Sequence, residues 1–295
     1  MKKETFPKIK GRVVFGEELS KHTTFRAGGL SRAWVEPRDE SELRKILEFA
    51  KRTKKIFFII GFGSNTLFRD KEFKGIVIKL GKGFKSLCFS GSKVTAGAAV
   101  ALSVLINTSC KRGLGGVESL VGIPGTVGGA IFMNAGSYGW NISDFLTTIR
   151  VMEIATGKIK HLRKDDVRFG YRCSGLKKYI ILESEFNLKK RQVQQLINRK
   201  KKFLAVKRKR QPLRRHSAGC VFKNPGGKKT AAEYIESVGL GGKRFGKAEI
   251  SKKHSNFIVT KIGVKSGDIM RLMNFAKKNV KTHFKVDLVP EIKIL

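Results

Sequence analysis

The feature that most constrains this chain is a glycine-rich segment that spans residues 113–139. It reads GLGGVESLVGIPGTVGGAIFMNAGSYG, and nine of its 27 residues are glycine. The segment is too apolar for a linker and too rich in glycine for an ordinary helix or strand, where each interior glycine costs roughly 0.5–1 kcal/mol relative to alanine. It therefore predicts either backbone that lies against a ligand, with bare N–H groups facing anions or ring carbonyls, or tight turns between buried strands.

A second glycine signal follows the apolar run at residues 56–60, which has the composition of a buried strand. The run ends in the stretch GFGSN at residues 61–65. A strand that ends in Gly-x-Gly resembles the start of a dinucleotide-binding turn, where bare backbone approaches a pyrophosphate. The third glycine of that fingerprint is missing, so a simple β-turn remains the alternative. The residues suited to phosphate oxygens are Gly61, Gly63, Ser64 and Asn65.

Length and composition set wide limits on the fold. The 295 residues, 41% of them hydrophobic, are enough for one to three domains with a sizeable core. No apolar run reaches the roughly 18 residues of a membrane helix, and the first seven residues lack the apolar centre of a secretory signal. These features predict a cytoplasmic protein. The four cysteines, which contain no Cys-x-x-Cys pair, predict reduced thiols rather than a metal site or disulfides.

The charge of the chain is strongly positive. Sixty-two Lys and Arg residues against 23 Asp and Glu residues give a formal net charge of +39. This excess favours anionic substrates or polyanions as partners. The densest basic cluster lies at residues 199–215, but basic residues are spread over the whole chain and no nucleic-acid-binding module is recognisable. We therefore expect no specific nucleic-acid partner.

Hydrophobic periodicity predicts a mixture of helices and strands, and hence α+β architecture. The helical patterns cover residues 39–52, 99–111, 191–209, 230–238 and 268–282, and the strand patterns cover residues 56–60, 75–80, 86–89, 93–97, 148–154, 179–186 and 286–295. Asp39 and Glu42 have the spacing of a capping box at the start of the first helix.

Seven blocks along the chain resemble the family of UDP-N-acetylenolpyruvoylglucosamine reductases, in its shorter subclass without an extra substrate-capping loop. The blocks, in family order, are TTFRAGG (23–29), IIGFGSNTL (59–67), the glycine-rich segment (113–139), FGYRCS (169–174), SAGCVFKNP (217–225), AEISKKHSNFIV (248–259) and VPEIKI (289–294). They cover nearly the full length of the chain. Seven blocks in order are a far more specific signal than any one of them.

The resemblance implies an FAD-binding fold of the vanillyl-alcohol-oxidase/PCMH type with a C-terminal α+β substrate domain. It divides the chain into FAD-binding subdomains at residues 1–82 and 83–190 and a substrate domain at residues 191–295, whose last strand returns toward the active site. It implies NADPH as co-substrate and a UDP-sugar as substrate. The reaction it implies is reduction of UDP-N-acetylglucosamine enolpyruvate to UDP-N-acetylmuramate, a step of peptidoglycan precursor synthesis, by a monomer.

The resemblance also implies which residues hold FAD. The turn after the early strand would face the diphosphate. Two stretches of the glycine-rich segment would let the isoalloxazine ring lie close to bare backbone. These stretches contain Gly122, Ile123, Pro124, Gly125 and Thr126, followed by Gly128, Gly129 and Ala130. The flavin carries the hydride chemistry, and the protein positions it.

Three residues match the catalytic positions of the family. Arg172, in the FGYRCS block, would meet the negative charge that develops on the substrate carboxylate. Glu291 would work with this arginine. Cys220 occupies the position where many members have a serine that donates a proton. A free thiol has a pKa of about 8.5 and is a far stronger acid than an alcohol, so proton donation remains chemically sound. Cys220 could instead shape the site for a water.

The resemblance places further residues on the substrate side, namely Tyr171, Arg210, Lys223 and Asn224, with Arg210 facing the diphosphate. Tyr138 and His254 lie in matching blocks without a role implied for either. Two other functions remain open at this point. One is another FAD-dependent oxidoreductase of the same fold, and the other is a basic nucleic-acid-binding relative without catalysis.

Overall fold

The computed structural model describes residues 6–295, which form two compact units. Unit 1 contains the described part of Met1–Phe15 together with Ala33–Gly61 and Gly75–Ala205. Unit 2 contains Gly16–Arg32, Phe62–Lys74 and Val206–Leu295. Most of the N-terminal stretch used to predict the absence of a secretory signal lies outside the described residues. Among residues 6–295, no helix has the length and apolar character needed to cross a membrane.

Mixed helices and strands appear, as the periodicity predicts. The helices are α1 (Glu40–Arg52), α2 (Leu102–Lys111), α3 (Val127–Phe132), α4 (Val193–Arg210), α5 (Ala231–Ser237) and α6 (Ser266–Phe284). The strands are β1 (Arg12–Val14), β2 (Glu17–Glu18), β3 (Leu30–Glu36), β4 (Phe57–Ile59), β5 (Thr66–Leu67), β6 (Phe73–Ile78), β7 (Leu87–Ser90), β8 (Lys93–Gly97), β9 (Leu114–Gly115), β10 (Gly136–Ser137), β11 (Trp140–Asn141), β12 (Leu146–Glu153), β13 (Ile159–Arg163), β14 (Phe169–Gly170), β15 (Cys173–Ser174), β16 (Tyr179–Asn187), β17 (Lys189–Lys190), β18 (Arg244–Phe245), β19 (Ala248–Ile250), β20 (Ile258–Thr260) and β21 (Lys293–Ile294).

Unit 1 is built on two sheets. The first has the strand order β1-β3-β6-β4, with β4 and β6 parallel, and β2 pairs with the start of β3 within unit 2. The second is antiparallel with the order β13-β12-β16-β8-β7. A single apolar core joins the inner faces of these sheets with α1, α2 and α3. The pairing of β12 with β16 is long and runs from Leu146 opposite Phe186 to Glu153 opposite Tyr179.

Helix α1 shows how local chemistry sets an element boundary. The Asp39 side chain accepts a hydrogen bond from the Glu42 backbone N–H at 2.9 Å, as expected of an N-cap. The reciprocal half of the predicted capping box is wrong. The Glu42 carboxylate instead accepts hydrogen bonds from the backbone N–H groups of Lys10, Gly11 and Arg38. A carboxylate with three backbone donors is better satisfied than one with a single donor, which explains the departure.

Unit 2 has its own apolar core, formed mainly by the inner faces of α5, α6 and the sheet β18-β19-β20. The predicted C-terminal strand at residues 286–295 is too long. Only β21 forms a strand there, pairing in parallel with β5, while Pro290 makes an isolated bridge with Phe222. Proline has no backbone N–H to donate to a ladder, so it interrupts the strand.

Candidate active site

Different glycines of the glycine-rich segment in unit 1 fit the two predicted roles, namely backbone open to a ligand and tight packing between elements. Gly122 and Gly125 have φ values of +80° and +150°, in the region that only glycine adopts readily. Gly128 is different, because a Cβ built on it would lie 2.8 Å from the Ala98 Cβ. The Gly128 N–H also donates to the Ala98 carbonyl at 2.9 Å. The missing side chain of Gly128 therefore lets α3 pack closely against the chain beside it.

The predicted cofactor residues of this segment divide by exposure. Gly122, Pro124 and Gly129 are exposed, and Ile123 and Gly125 are half-buried. The other predicted cofactor residues of the segment are buried, namely Thr126, Gly128 and Ala130. The accessible positions can contact a ligand directly. The buried ones support the turn, since the Thr126 hydroxyl accepts the Gly129 N–H at 3.2 Å and so caps α3.

The structure brings the end of β4 to the same place. A Cβ on Gly61 would lie 2.7 Å from the Thr126 Oγ1, so the two predicted glycine regions touch within unit 1. Gly63 belongs to unit 2, where a Cβ would lie 2.2 Å from the His22 carbonyl oxygen. Gly63 has φ +62°, and its carbonyl accepts the Thr24 N–H at 3.3 Å. This glycine is needed for close packing against the TTFRAGG block.

Arg172 occupies the turn of a short hairpin in unit 1. β14 and β15 pair antiparallel, and the turn between them consists of Tyr171 and Arg172. Arg172 has φ +54°, which is uncommon for a residue with a side chain and typical of functional sites. Its Nη2 donates to the Gly136 carbonyl at 3.0 Å, and its guanidinium lies 5.0 Å from the centre of the Tyr171 ring. Tyr171 is half exposed, so the turn presents both side chains at the surface of the unit.

Cys220 and Glu291 lie on neighbouring backbone segments of unit 2. The Glu291 N–H donates to the Val221 carbonyl at 2.8 Å, and the Phe222–Pro290 bridge extends this antiparallel pairing. Cys220 is half-buried and forms a further bridge with Phe257 on its other side. The backbone thus places Cys220 and Glu291 on adjacent segments. Residues 220–223, which are paired with a neighbouring segment on each side through isolated bridges and single hydrogen bonds, are called the Cys220 strand below.

Asn65 also contacts the segment that carries Glu291. Its Nδ2 donates to the Glu291 carbonyl at 3.3 Å, and its own carbonyl accepts the Lys293 N–H at 2.9 Å. A residue predicted to contact the cofactor therefore directly braces the segment that carries a predicted catalytic residue. Ser64, which precedes it, is half-buried.

The predicted substrate residues Lys223 and Asn224 continue the Cys220 strand. The Lys223 N–H donates to the Val289 carbonyl at 2.9 Å, and its side chain is half-buried. Asn224 is exposed, and its Oδ1 accepts the Ala231 N–H at 3.1 Å at the start of α5. The whole strand is fixed by Asn256, a buried residue whose amide exchanges two hydrogen bonds with the Phe222 backbone, at 2.9 and 2.8 Å.

Arg210 lies apart from this strand group, at the end of α4. It lines a cavity of about 750 Å³ in unit 2. The other charged or titratable residues of the cavity are Lys209, Lys253, Glu233, Glu236 and His254. Burial lowers the pKa of His254, while its own backbone hydrogen bond and Glu236 act in the opposite direction. Among the described residues, the buried His254 Nδ1 has no hydrogen-bond partner.

Comparison with known proteins gives the family. The profile of the UDP-N-acetylenolpyruvoylglucosamine reductase C-terminal domain matches residues 211–295, and that of an FAD binding domain matches residues 31–163. The UDP-N-acetylenolpyruvoylglucosamine reductase of Clostridium botulinum strain 657 is 37% identical over 96% of this chain and 92% of its own length. That of Bacillus pumilus is 33% identical over 100% of this chain and 98% of its own. The chain belongs to the UDP-N-acetylenolpyruvoylglucosamine reductase family.

Solved structures agree with this assignment. The reductase of this family from Thermus caldophilus matches with a TM-score of 0.82 and 30% identity, covering 97% of this chain and 99% of that one. The 6-hydroxy-D-nicotine oxidase of Arthrobacter nicotinovorans matches with a TM-score of 0.51 and 20% identity, over 63% of this chain and 44% of its own, and shows the fold alone. These matches confirm the predicted α+β fold of the vanillyl-alcohol-oxidase/PCMH type.

The residues present fit the FAD of this reductase family. The glycines with positive φ at Gly122 and Gly125 are accessible, and a side chain at either would be strained. Gly61 fits for another reason, because its bare backbone already touches Thr126. This combination of accessible and supporting glycines suits close approach of a large planar cofactor.

Sequence reasoning missed the residues that hold the site residues in place. Asn256 braces the Cys220 strand, and Asn134 and Ser174 attach the Arg172 hairpin to the glycine-rich segment. All three lie inside or directly beside the family blocks. A buried asparagine in a family block was the available signal, since a buried amide must find partners.

Proposed function

We propose that this chain reduces UDP-N-acetylglucosamine enolpyruvate to UDP-N-acetylmuramate, with FAD as cofactor and NADPH as the source of electrons. The observation that carries this proposal is identity of 33–37% over 96–100% of the chain to proteins named UDP-N-acetylenolpyruvoylglucosamine reductase. The match to an FAD binding domain over residues 31–163 supports the cofactor. When bound, FAD supplies hydride transfer to the vinyl carbon of the substrate.

Arg172 has the role of stabilising the charge that reaches the substrate carboxylate. A guanidinium offers N–H donors in a planar fork that matches a carboxylate. Hydrogen bonding to Gly136 fixes one arm of this fork. A charge held in place before the reaction stabilises a developing negative charge without reorganisation at the moment of reaction. Glu291 orients the substrate, and Tyr171 lies on the substrate side.

Cys220 donates a proton to the substrate carbon next to the carboxylate. Half-burial leaves the thiol accessible, and backbone pairing on both sides of its strand limits its movement. The neighbouring Lys223 and Asn224 bind the substrate, and Arg210, which lines the cavity of unit 2, contacts its diphosphate. These assignments rest on the family match at each position together with the local geometry.

We also propose the division of labour between segments. Residues 1–82 and 83–190 bind FAD, chiefly through Gly61, Gly63, Ser64, Asn65 and the accessible part of residues 122–130, and residues 191–295 bind the sugar nucleotide. The two profile matches fall within this arrangement. We propose a cytoplasmic monomer, and the four free cysteines are compatible with a reducing compartment. Light scattering on the purified protein tests the monomer.

The test of function follows the two half-reactions separately. Purified protein should be yellow, NADPH should bleach the flavin absorbance, and the enolpyruvyl substrate should restore it while UDP-N-acetylmuramate forms. Cys220→Ala should leave the NADPH phase unchanged and slow the substrate phase roughly 10²- to 10⁴-fold, the usual contribution of a positioned general acid. Equal slowing of both phases would contradict the acid role. Wild-type protein that forms no UDP-N-acetylmuramate would overturn the function itself.

A further inference from the structure

Three side-chain hydrogen bonds attach the Arg172 hairpin to residues 132–136, which comprise the last residue of α3 and the turn that follows it. Ser174 Oγ donates to the Phe132 carbonyl at 2.8 Å. Asn134 Nδ2 donates to the Gly170 carbonyl at 3.0 Å. Arg172 itself donates to the Gly136 carbonyl at 3.0 Å. The three anchoring carbonyls or side chains therefore lie within residues 132–136, so one short turn at the end of α3 holds the whole hairpin.

Asn134 is the unusual member of this set. It follows the C-cap of α3 and has φ +44°, the left-handed position that ends a helix and that glycine fills best. Its N–H donates to the Ile131 carbonyl, and the next N–H donates to the Ala130 carbonyl, which completes a Schellman motif. Glycine is abundant in this segment, yet this position carries a side chain. The side chain must therefore contribute something that glycine would not.

The environment of the Asn134 amide shows what it contributes. The residue is only 4% exposed. A backbone carbonyl can only accept, so contact with the Gly170 carbonyl sets the amide with Nδ2 toward the hairpin. Asn134 Oδ1 is buried without a partner among the described residues. An amide that is kept buried at this cost, at a strained position, points to a role beyond packing.

Gly136 completes the arrangement around the guanidinium. A Cβ at this position would lie 3.1 Å from Arg172 Nη1 and 2.2 Å from the Asn141 Oδ1. The bare backbone thus leaves room for the arginine, while its carbonyl holds one arm of the fork. Ser174 anchors the base of the hairpin, Asn134 holds the residue that directly precedes the turn, and Gly136 holds the Arg172 guanidinium.

We propose that Asn134 is a positioning residue for Arg172, which holds the Tyr171-Arg172 turn so that the guanidinium is in place before the substrate arrives. This inference rests on the proposed function of Arg172. Loss of the amide would let the turn move, and misplacement of a catalytic group by about 1 Å can cost on the order of 100-fold in rate. The effect should fall on the substrate phase, because only that phase develops charge on the carboxylate.

The decisive variant is Asn134→Gly, because glycine suits the left-handed backbone and only the amide is lost. The chain offers a matched control in Lys54→Gly. Lys54 has φ +52° at the equivalent position of a second Schellman motif, at the end of α1, and it is exposed. Asn134→Gly should slow the substrate phase about 10- to 100-fold with the NADPH phase and FAD content unchanged. Lys54→Gly should match wild type in all three measurements.

Two further measurements separate positioning from general damage. In an Arg172→Ala background, Asn134→Gly should change the substrate phase by less than about twofold, since residues that act through one another are not additive. Amides of residues 170–174 should exchange about tenfold faster in Asn134→Gly, by loss of one hydrogen bond. If Asn134→Gly proves unstable, Asn134→Asp takes its place, because an ionised carboxylate keeps the shape of the amide but has no N–H to donate. It should slow the substrate phase to the extent expected of Asn134→Gly.

The possible failures are distinct. Additive losses in the double variant, or an unchanged substrate phase in Asn134→Gly and Asn134→Asp, would overturn the positioning role while the function of the enzyme stands. Wild-type protein that does not reduce the enolpyruvyl substrate would overturn the proposed function and this role together.

Discussion

The two units hold their predicted catalytic residues by different means. In unit 1, Arg172 lies on a hairpin of two-residue strands that is attached through side chains, including its own. In unit 2, Cys220 and Glu291 lie on backbone segments paired with their neighbours mainly through main-chain hydrogen bonds, to which the Asn256 and Asn65 side chains add further bonds. Main-chain pairing survives a change of side chain, whereas side-chain attachment does not. A conservative substitution of the catalytic residue itself should therefore be costly at Arg172 in unit 1 and mild at Cys220 in unit 2.

The largest expected effect is on the rate of the substrate phase, when one conservative substitution in each unit is compared. Arg172→Lys keeps the charge but loses the planar fork that bonds Gly136 and whose geometry matches a carboxylate, so the substrate phase should slow by about 10²-fold or more. Cys220→Ser keeps a proton donor on an unchanged backbone and should retain much of the activity. Stopped-flow absorbance of the flavin measures both. If Cys220→Ser loses as much as Arg172→Lys, backbone pairing does not protect the unit 2 site and the comparison fails.

A smaller effect concerns the stability of the glycine-rich segment in unit 1. Glu118 is 1% exposed, its Oε2 accepts the Gly116 N–H at 2.5 Å, and its Oε1 lies 3.3 Å from Arg199 Nη1 on α4. Removal of Arg199 would leave a buried carboxylate without its cation. Because Arg199 is half exposed and water can replace part of its effect, we expect Arg199→Ala to lower the free energy of unfolding by only about 1–2 kcal/mol.

The control for this variant is Lys201→Ala, on the exposed side of the same helix, which should change stability by less than about 0.5 kcal/mol. Glu118→Gln in the Arg199→Ala background should recover part of the loss, because a neutral amide carries no charge penalty. Denaturant unfolding measures all three. Equal losses for Arg199→Ala and Lys201→Ala would mean that the pair does not support the segment.

The sequence predicts regular elements far better than the attachments between them. The limits of α1 and β8 follow from periodicity and from the Asp39 cap, because each depends on neighbours within a few residues. The last strand was overestimated, since its apolar alternation continues through Pro290, which cannot donate to a ladder.

The family blocks located the site residues but not how they are held. The Asn134 contact spans 36 residues of sequence and the Asn256 contact spans 34. No periodicity links such positions, because each bond joins an irregular stretch to a distant backbone carbonyl or N–H. Gly128 illustrates the same limit. Its composition favours a ligand cradle, while its closest contact is with Ala98, which only the packed structure reveals.

The smallest expected effect concerns His254 in unit 2, a half-buried residue whose buried Nδ1 has no hydrogen-bond partner among the described residues. Burial lowers the pKa of His254 below its usual value of about 6.5, so the folded protein resists protonation. As the pH falls below about 6.5, the unfolded chain binds a proton that the folded chain does not, and the free energy of unfolding decreases. The stability is fully present above this pH and is lost on the acid side. His254→Gln should remove this loss, so its stability relative to wild type should rise from pH 7.5 to pH 5.5, by at most about 1.4 kcal/mol per pH unit.

Urea unfolding at several pH values measures the difference, and a difference that stays constant with pH would show that His254 is not the group responsible. A rise would show that His254, which lines the same cavity as Arg210, lowers the stability of the folded protein at acidic pH.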